Sequence, residues 1–310
     1  MCITGDLDYF AKDLLFPHYS SNNPCWMCPA GRLGPMFITD VCRRATWKDH
    51  VFPPGADLFS PVTLHPISKL RGFGRWLCPG DLMHTGPLGV VGWFLGAVLW
   101  ELWAQGPWVG DDKARLQQLW EAILLEYIAQ NSSHRLTMLT ISMFYHGNNS
   151  YTCFTGKASE SLSLLYVVHE VCIEVSTGSA RDTHRIACCE SLCRLFTICK
   201  DHGYVLPRAD ADMLLESCET FLVHYNWLTS FSAKCGLLNY NLVTKCHMIW
   251  HICHQGRFLN PRVGWCFEFE DYVGVVVRCA KGSMHGSSLA IVGRKCLENF
   301  LLLLQLSLHD

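Results

Sequence analysis

The stretch "PLGVVGWFLGAVLWELWAQ", Pro87 to Gln105, decides what kind of fold this chain has. Its uncharged run, Leu88 to Trp100, ends at Glu101, well short of the roughly 20 apolar residues that a bilayer crossing requires. Proline stands where a first helical turn begins, so the stretch is expected to be a buried core helix of a helical protein. A membrane-associated protein is the weaker reading, although the mean hydropathy is +0.15.

The pattern spreads outward from there. After the breaker "GPWVGDD", the segment from Asp111 to Gln130 repeats apolar residues at helical spacing behind an acidic first turn. Further helices are expected over Lys157 to Val175, Arg181 to Gly203 and Pro207 to Leu228, each bounded by Pro, Gly or polar turns. The tail from Ser287 to Leu308 reads as an amphipathic helix with a broad apolar face, whereas Leu136 to Gly147 fits a strand and a helix equally well. Before Pro87 the chain is rich in Pro, Gly and short apolar runs, which suits loops and short strands. The expected class is mostly α with a small strand and loop portion.

Composition bounds the rest. The 310 residues are 50% hydrophobic and 17% charged, enough for one large core or two modest ones and unlike a disordered chain. A net charge of -2 exerts no global pull toward nucleic acid, so any such contact needs a local basic patch. The 18 cysteines are scattered, several of them on apolar helical faces (Cys188, Cys189, Cys193, Cys199), which points to a reducing compartment, nuclear or cytoplasmic. The opening "MCITGDLDYF" has neither the basic nor the apolar region of a signal peptide.

Four constellations could carry chemistry. Cys25 and Cys28 form a C-x-x-C in a Pro/Gly-rich turn, which supplies two of the four ligands of tetrahedral zinc. Cys42, His50, Cys78 and His84 are nearby candidates for the remainder, and inert buried thiols are the plainer alternative. Asp81 and His84 stand one turn apart at the entrance of the apolar helix, where Asp81 could cap the helix while His84 points back toward the cysteines. Asp6, Asp8 and Asp13 follow a short apolar start, as catalytic carboxylates do in magnesium-dependent nucleases, though turn carboxylates give the same pattern. Finally, Lys245, His247, His251 and His254 precede Asn260-Pro261-Arg262 and then Glu268, Glu270 and Asp271. His247 and His251 share one helical face and could bind a metal, but no Glu follows the first His, so the zinc-protease motif is absent. The basic part could meet a nucleic-acid phosphate and the acidic turn a divalent cation.

Taken in order, these features resemble the DDE transposases of the ribonuclease H-like fold, in particular CACTA-type and related cut-and-paste elements. The resemblance covers most of the chain at motif level. It matches Asp6 or Asp8 to the family's second catalytic Asp, Cys25 and Cys28 to its C-x-x-C, Asp81 and His84 to its D-x-x-H, and Glu270 to its catalytic Glu, with Phe269 before it and Gly274 after it. Lys245, His247 and His251 match a Lys-x-His and the following His, and Arg262 lies in the connector before the Glu.

What the resemblance implies is a partial ribonuclease H-like core interrupted by a large all-helical insertion. Residues 1–86 and 241–310 would carry the catalytic elements and 87–240 the insertion. The implied chemistry is magnesium-dependent strand cleavage and transfer at transposon DNA ends, by a protein that can self-associate. Lys245, His247, His251 and Arg262 would lie on DNA, and Cys25, Cys28, Asp81 and His84 would gather around zinc. The family's first Asp lies upstream of its second, and this sequence starts a few residues before Asp6, so a truncated and inactive copy is expected. A reading from another class is a non-catalytic, zinc-stapled helical interaction module, in which the carboxylates are surface charges.

Overall fold

The computed structural model of the chain describes residues 5–53, 66, 73–74, 77–147, 149–284 and 288–307. It is mostly helical, and the helices follow the periodicity of the sequence. The elements are α1 (Leu7–Lys12), α2 (Leu82–Thr85), α3 (Gly92–Gln105), α4 (Asp112–Ala129), α5 (Ala158–Glu174), α6 (Ala180–Asp201), α7 (Arg208–Lys234), α8 (Thr244–Gln255), α9 (Phe267–Met284) and α10 (Leu289–Ser307). The chain divides into two compact units, Met1–Trp265 and Cys266–Asp310. In the second unit α9 and α10 pack on each other, with Asn299 Nδ2 donating to Ser283 Oγ at 3.1 Å.

Helix α3 is largely buried in the first unit. A wide π-type turn, Gly86–Val91, joins it to α2, and 83% of the most apolar window of Leu82–Gln105 is buried inside the fold. The close packing depends on Gly96, where a Cβ would come within 2.5 Å of the Cys153 backbone. Any side chain there would push away the loop that leads into α5.

Helices α5, α6 and α7 form the helical block beside it. Each begins on a recognisable start signal, of which Pro207 was expected: Glu160 accepts from the Lys157 N–H at the start of α5, Ser179 caps α6 and Pro207 precedes α7. The block buries an ion-pair network among apolar neighbours. Arg185 reaches Asp182 at 2.6 Å and Glu101 at 3.4 Å, and Glu101 also accepts from Tyr240 Oη at 2.9 Å. Burial raises the Glu101 pKa even beside this arginine.

Three expectations need correcting. The strand portion expected before Pro87 is, among the described residues, a single isolated bridge between Gly31 and Phe37. Packed aromatic rings hold that segment in place of a ladder: Phe10 stacks on Phe16 at 5.3 Å, and Trp26 closes on both. The ambiguous stretch from Leu136 to Gly147 is neither strand nor regular helix but a loop with one 3-10 turn, Ile141–Met143, anchored by fully buried Phe144. The acidic turn expected at Glu268, Glu270 and Asp271 is part of α9. The side chain of Glu270 lies outside the described residues.

Candidate metal centre

Cys25 and Cys28 sit in a loop that folds back on itself. Arg32 N–H donates to Asn22 O at 2.6 Å, Gly31 N–H to Met36 O at 2.9 Å and Ile38 N–H to Gly31 O at 2.8 Å. These turns aim both sulfurs inward, and the Met27 amide donates to Cys25 Sγ at 3.3 Å. Helix α8 supplies the facing wall. Because His247 and His251 are four residues apart, their rings leave the same side of that helix.

The two pairs meet in the interior. Cys28 Sγ lies 3.7 Å from Cys25 Sγ and 3.3 Å from His247 Nε2, and His251 Nε2 lies 3.0 Å from His247 Nε2. One donor atom from each of the four residues falls within 4.8 Å of all the others, and all four residues are buried. Among the described residues this is the only group of three or more Cys, His, Asp or Glu donors placed to share an ion.

The geometry fits a tetrahedral zinc ion. Bonds of about 2.3 Å to sulfur and about 2.05 Å to nitrogen give tetrahedral edges of about 3.8 Å for S–S, 3.5 Å for S–N and 3.3 Å for N–N. The Cys28–Cys25, Cys28–His247 and His251–His247 separations of 3.7, 3.3 and 3.0 Å follow that order and lie within a few tenths of an ångström of these edges. Charge agrees as well, since two thiolates neutralise a divalent cation and leave no net charge in an apolar surrounding.

Without an ion the cluster is poorly satisfied. Two Nε2 atoms facing each other can share one proton at best, and neither His247 Nδ1 nor His251 Nδ1 has a hydrogen-bond partner. Burial pushes the Cys25 thiol up, but the Cys28 hydrogen bond and the two imidazoles outweigh it and hold Cys25 well below the ordinary thiol range. Burial lowers the His247 pKa, which keeps that ring neutral and its lone pair available.

The other expected ligands are elsewhere. The Asp81 carboxylate is consumed as the N-cap of α2, accepting from Met83 N–H at 2.8 Å and His84 N–H at 3.2 Å, and it also pairs with the His84 ring. His247 and His251 complete the cysteine pair in place of Asp81 and His84. His50 bonds Thr46 O at 2.8 Å, the Cys78 carbonyl accepts from Trp26, and Cys42 also stands outside the cluster. As for DNA contacts, His247 and His251 are buried and so cannot touch a duplex, while Arg262 donates to Lys200 O at 2.8 Å and helps close the C-terminus of α6. Asn260 completes that closure, its amide donating to the carbonyls of Cys199, His202 and Gly203.

The expected carboxylates line a separate feature. A cleft of about 750 Å³ has Asp6, Asp8, Arg32, His84, Trp93 and Lys245 in its walls. Asp6 caps α1 by accepting from Tyr9 N–H at 2.6 Å, and Asp8 pairs with Lys12 at 2.9 Å, which lowers its pKa. Lys245 crosses Gly89, where a Cβ would stand 2.7 Å from its Cδ, and donates to Leu88 O at 3.3 Å. Among the described residues no set of three carboxylates assembles, so a magnesium site is not supported.

No protein-family model, curated protein or solved structure matches the chain. Chemistry at these two places is therefore the basis for a functional reading.

Proposed function

We propose that this chain is a zinc-stapled helical module, in which an ion held by Cys25, Cys28, His247 and His251 clamps the N-terminal loop segment onto α8. The observation that carries this reading is the convergence of two half-sites more than two hundred residues apart on one buried point. Four protein ligands and no open position make the site structural rather than hydrolytic, because catalytic zinc keeps one position for water or substrate. The clamp offsets the scarcity of regular hydrogen bonding in the loop segment. The test is metal analysis of purified protein, with cobalt substitution. One equivalent of zinc, and a cobalt absorption band typical of a tetrahedral thiolate site, are expected. Metal-free protein that neither takes up cobalt nor changes on adding zinc would end the proposal.

A second reading is supported by the cleft. Asp6 or Asp8, Lys245 and His84 line it together, and all are residues that the DDE transposase resemblance singles out. On this reading the module is transposase-derived and its ancestral activity is metal-dependent cleavage and transfer of DNA strands. Lys245 would hold a backbone phosphate, a contact that positions without reading sequence. Binding of a short duplex in magnesium, about tenfold weaker in Lys245→Met, is the expected result. Equal binding by both proteins, or none by either, would remove this reading.

A further inference from the structure

The imidazoles of the metal centre lack the support that metal-bound histidines usually have. A ligating His normally donates its second ring N–H to a carboxylate or carbonyl, which fixes its orientation. Here Nδ1 of His247 and Nδ1 of His251 are both buried without a partner. Something else must hold the rings.

Two indoles surround them. The Trp47 ring centroid lies 4.1 Å from His247 and 5.4 Å from His251, and Trp250 meets His251 edge-on at 5.2 Å. Trp47 and Trp250 cross each other at 5.1 Å and 87°. Trp47 is fixed from behind, its Nε1 donating to Asp40 O at 2.7 Å.

The indoles are in turn held by an ion pair from outside the ligand set. Glu219, on α7, accepts from Trp250 Nε1 at 2.9 Å and from Lys48 Nζ at 3.0 Å, both on the same oxygen. The Lys48 ammonium sits over both rings, 5.7 Å from Trp47 and 5.3 Å from Trp250. Its side chain is only 8% exposed, so the cation–π contact is shielded from water, while the Glu219 end of the ion pair is 24% exposed.

We propose that Lys48 and Glu219, acting through Trp47 and Trp250, are positioning residues that orient His247 and His251 for the metal. This rests on the zinc-staple reading. None of these four side chains belongs to the set of four donors, and all act by locking ring planes.

The experiment measures zinc affinity by competition with a chromogenic chelator, and the cobalt absorption spectrum, in Glu219→Gln, Lys48→Met and Lys48→Arg. Glu219→Gln and Lys48→Met are expected to bind about 10–100-fold more weakly, with a shifted cobalt band, as loss of an outer support does elsewhere. Lys48→Arg, which keeps a cation over the rings, should restore affinity to within about threefold of the parent, a rescue that general loss of stability would not produce. Should Glu219→Gln not fold, Trp250→Phe removes the N–H that Glu219 accepts together with part of the ring beside His251, and carries the same expectation. Parent-like affinity and spectra in the variants would overturn the proposal while leaving the staple intact. A parent protein that binds no cobalt would overturn both.

Discussion

Cys25 and Cys188 are both buried, yet one is built as a ligand and the other as a small hydrophobe. Cys25 stands in an irregular loop where an amide, a second thiol and two imidazoles converge, and it is held well below the ordinary thiol range. Cys188 stands on α6 with its sulfur 3.8 Å from Phe221 O, and burial pushes its thiol well up. Cys199, on the same helix, is pushed up to about 12. Burial is common to all three, so the partners decide whether a sulfur is a thiolate or a thiol. The same contrast separates two ways of stabilising a fold: the helical block by apolar packing, the loop segment by a point of coordination.

The sharpest way to break that contrast is to remove the ion. Chelation, or Cys25→Ser, should lower unfolding free energy by at least about 4 kcal/mol, a modest share of what a structural zinc supplies. Hydrogen exchange should accelerate in 22–38 and 242–251 together, because the cluster joins those two segments, while α5 to α7 keep their protection. Uniform acceleration over the whole chain would mean that the loop and the block are one cooperative body.

Much of the helical block was legible because periodicity is local. The apolar spacing within α4, α5, α6 and α7, with Asp111 at the start of α4 and Pro207 at that of α7, needs no knowledge of distant residues. The metal centre was legible only in halves. The C-x-x-C and the pair His247 and His251 each offer two ligands, and two incomplete sites in a chain with no other complete set are a signal to join them. Sequence proximity and the family resemblance drew Asp81 and His84 in instead, and their real role is fixed by cap geometry that spacing alone leaves open. The indoles were not legible at all, since Trp47 and Trp250 reach the imidazoles only through tertiary packing.

The next effect lies where α6 meets α3, away from the loop segment. Arg185→Met leaves Glu101 and Asp182 buried without their cation and should cost about 3–5 kcal/mol in urea unfolding. Zinc stoichiometry should remain at the parent value. Metal loss in this variant would show that the network and the staple are coupled, contrary to the separation drawn above.

A smaller effect appears on acidification. Burial raises the Asp182 pKa, but hydrogen bonds from the Thr177 hydroxyl and amide, with Ser179 and Arg185, overcome it and hold the carboxyl at about 2, against an ordinary 3.8. The folded pKa is depressed, so this stability is fully present above the ordinary value and is lost as pH falls through about 2. The difference amounts to about 2 kcal/mol. Asp182→Asn should remove that part of the slope from a plot of unfolding free energy against pH. An unchanged slope would assign acid sensitivity to other groups.

The smallest effect tests the comparison at its root. Cys188→Ala deletes one buried sulfur whose contacts are apolar apart from the long approach to Phe221 O. The lost contacts and a cavity of one atom should cost about 1 kcal/mol, at the low end of large-to-small core changes. Zinc content and the cobalt spectrum should be those of the parent, because this sulfur is not one of the four clustered donors. A serine at the same position should be worse than alanine, since its hydroxyl would be buried where sulfur tolerates weak partners. At Cys25 the ranking should collapse, with serine and alanine equally unable to hold the ion. The two positions would then differ in kind, with packing volume limiting one and donor chemistry the other.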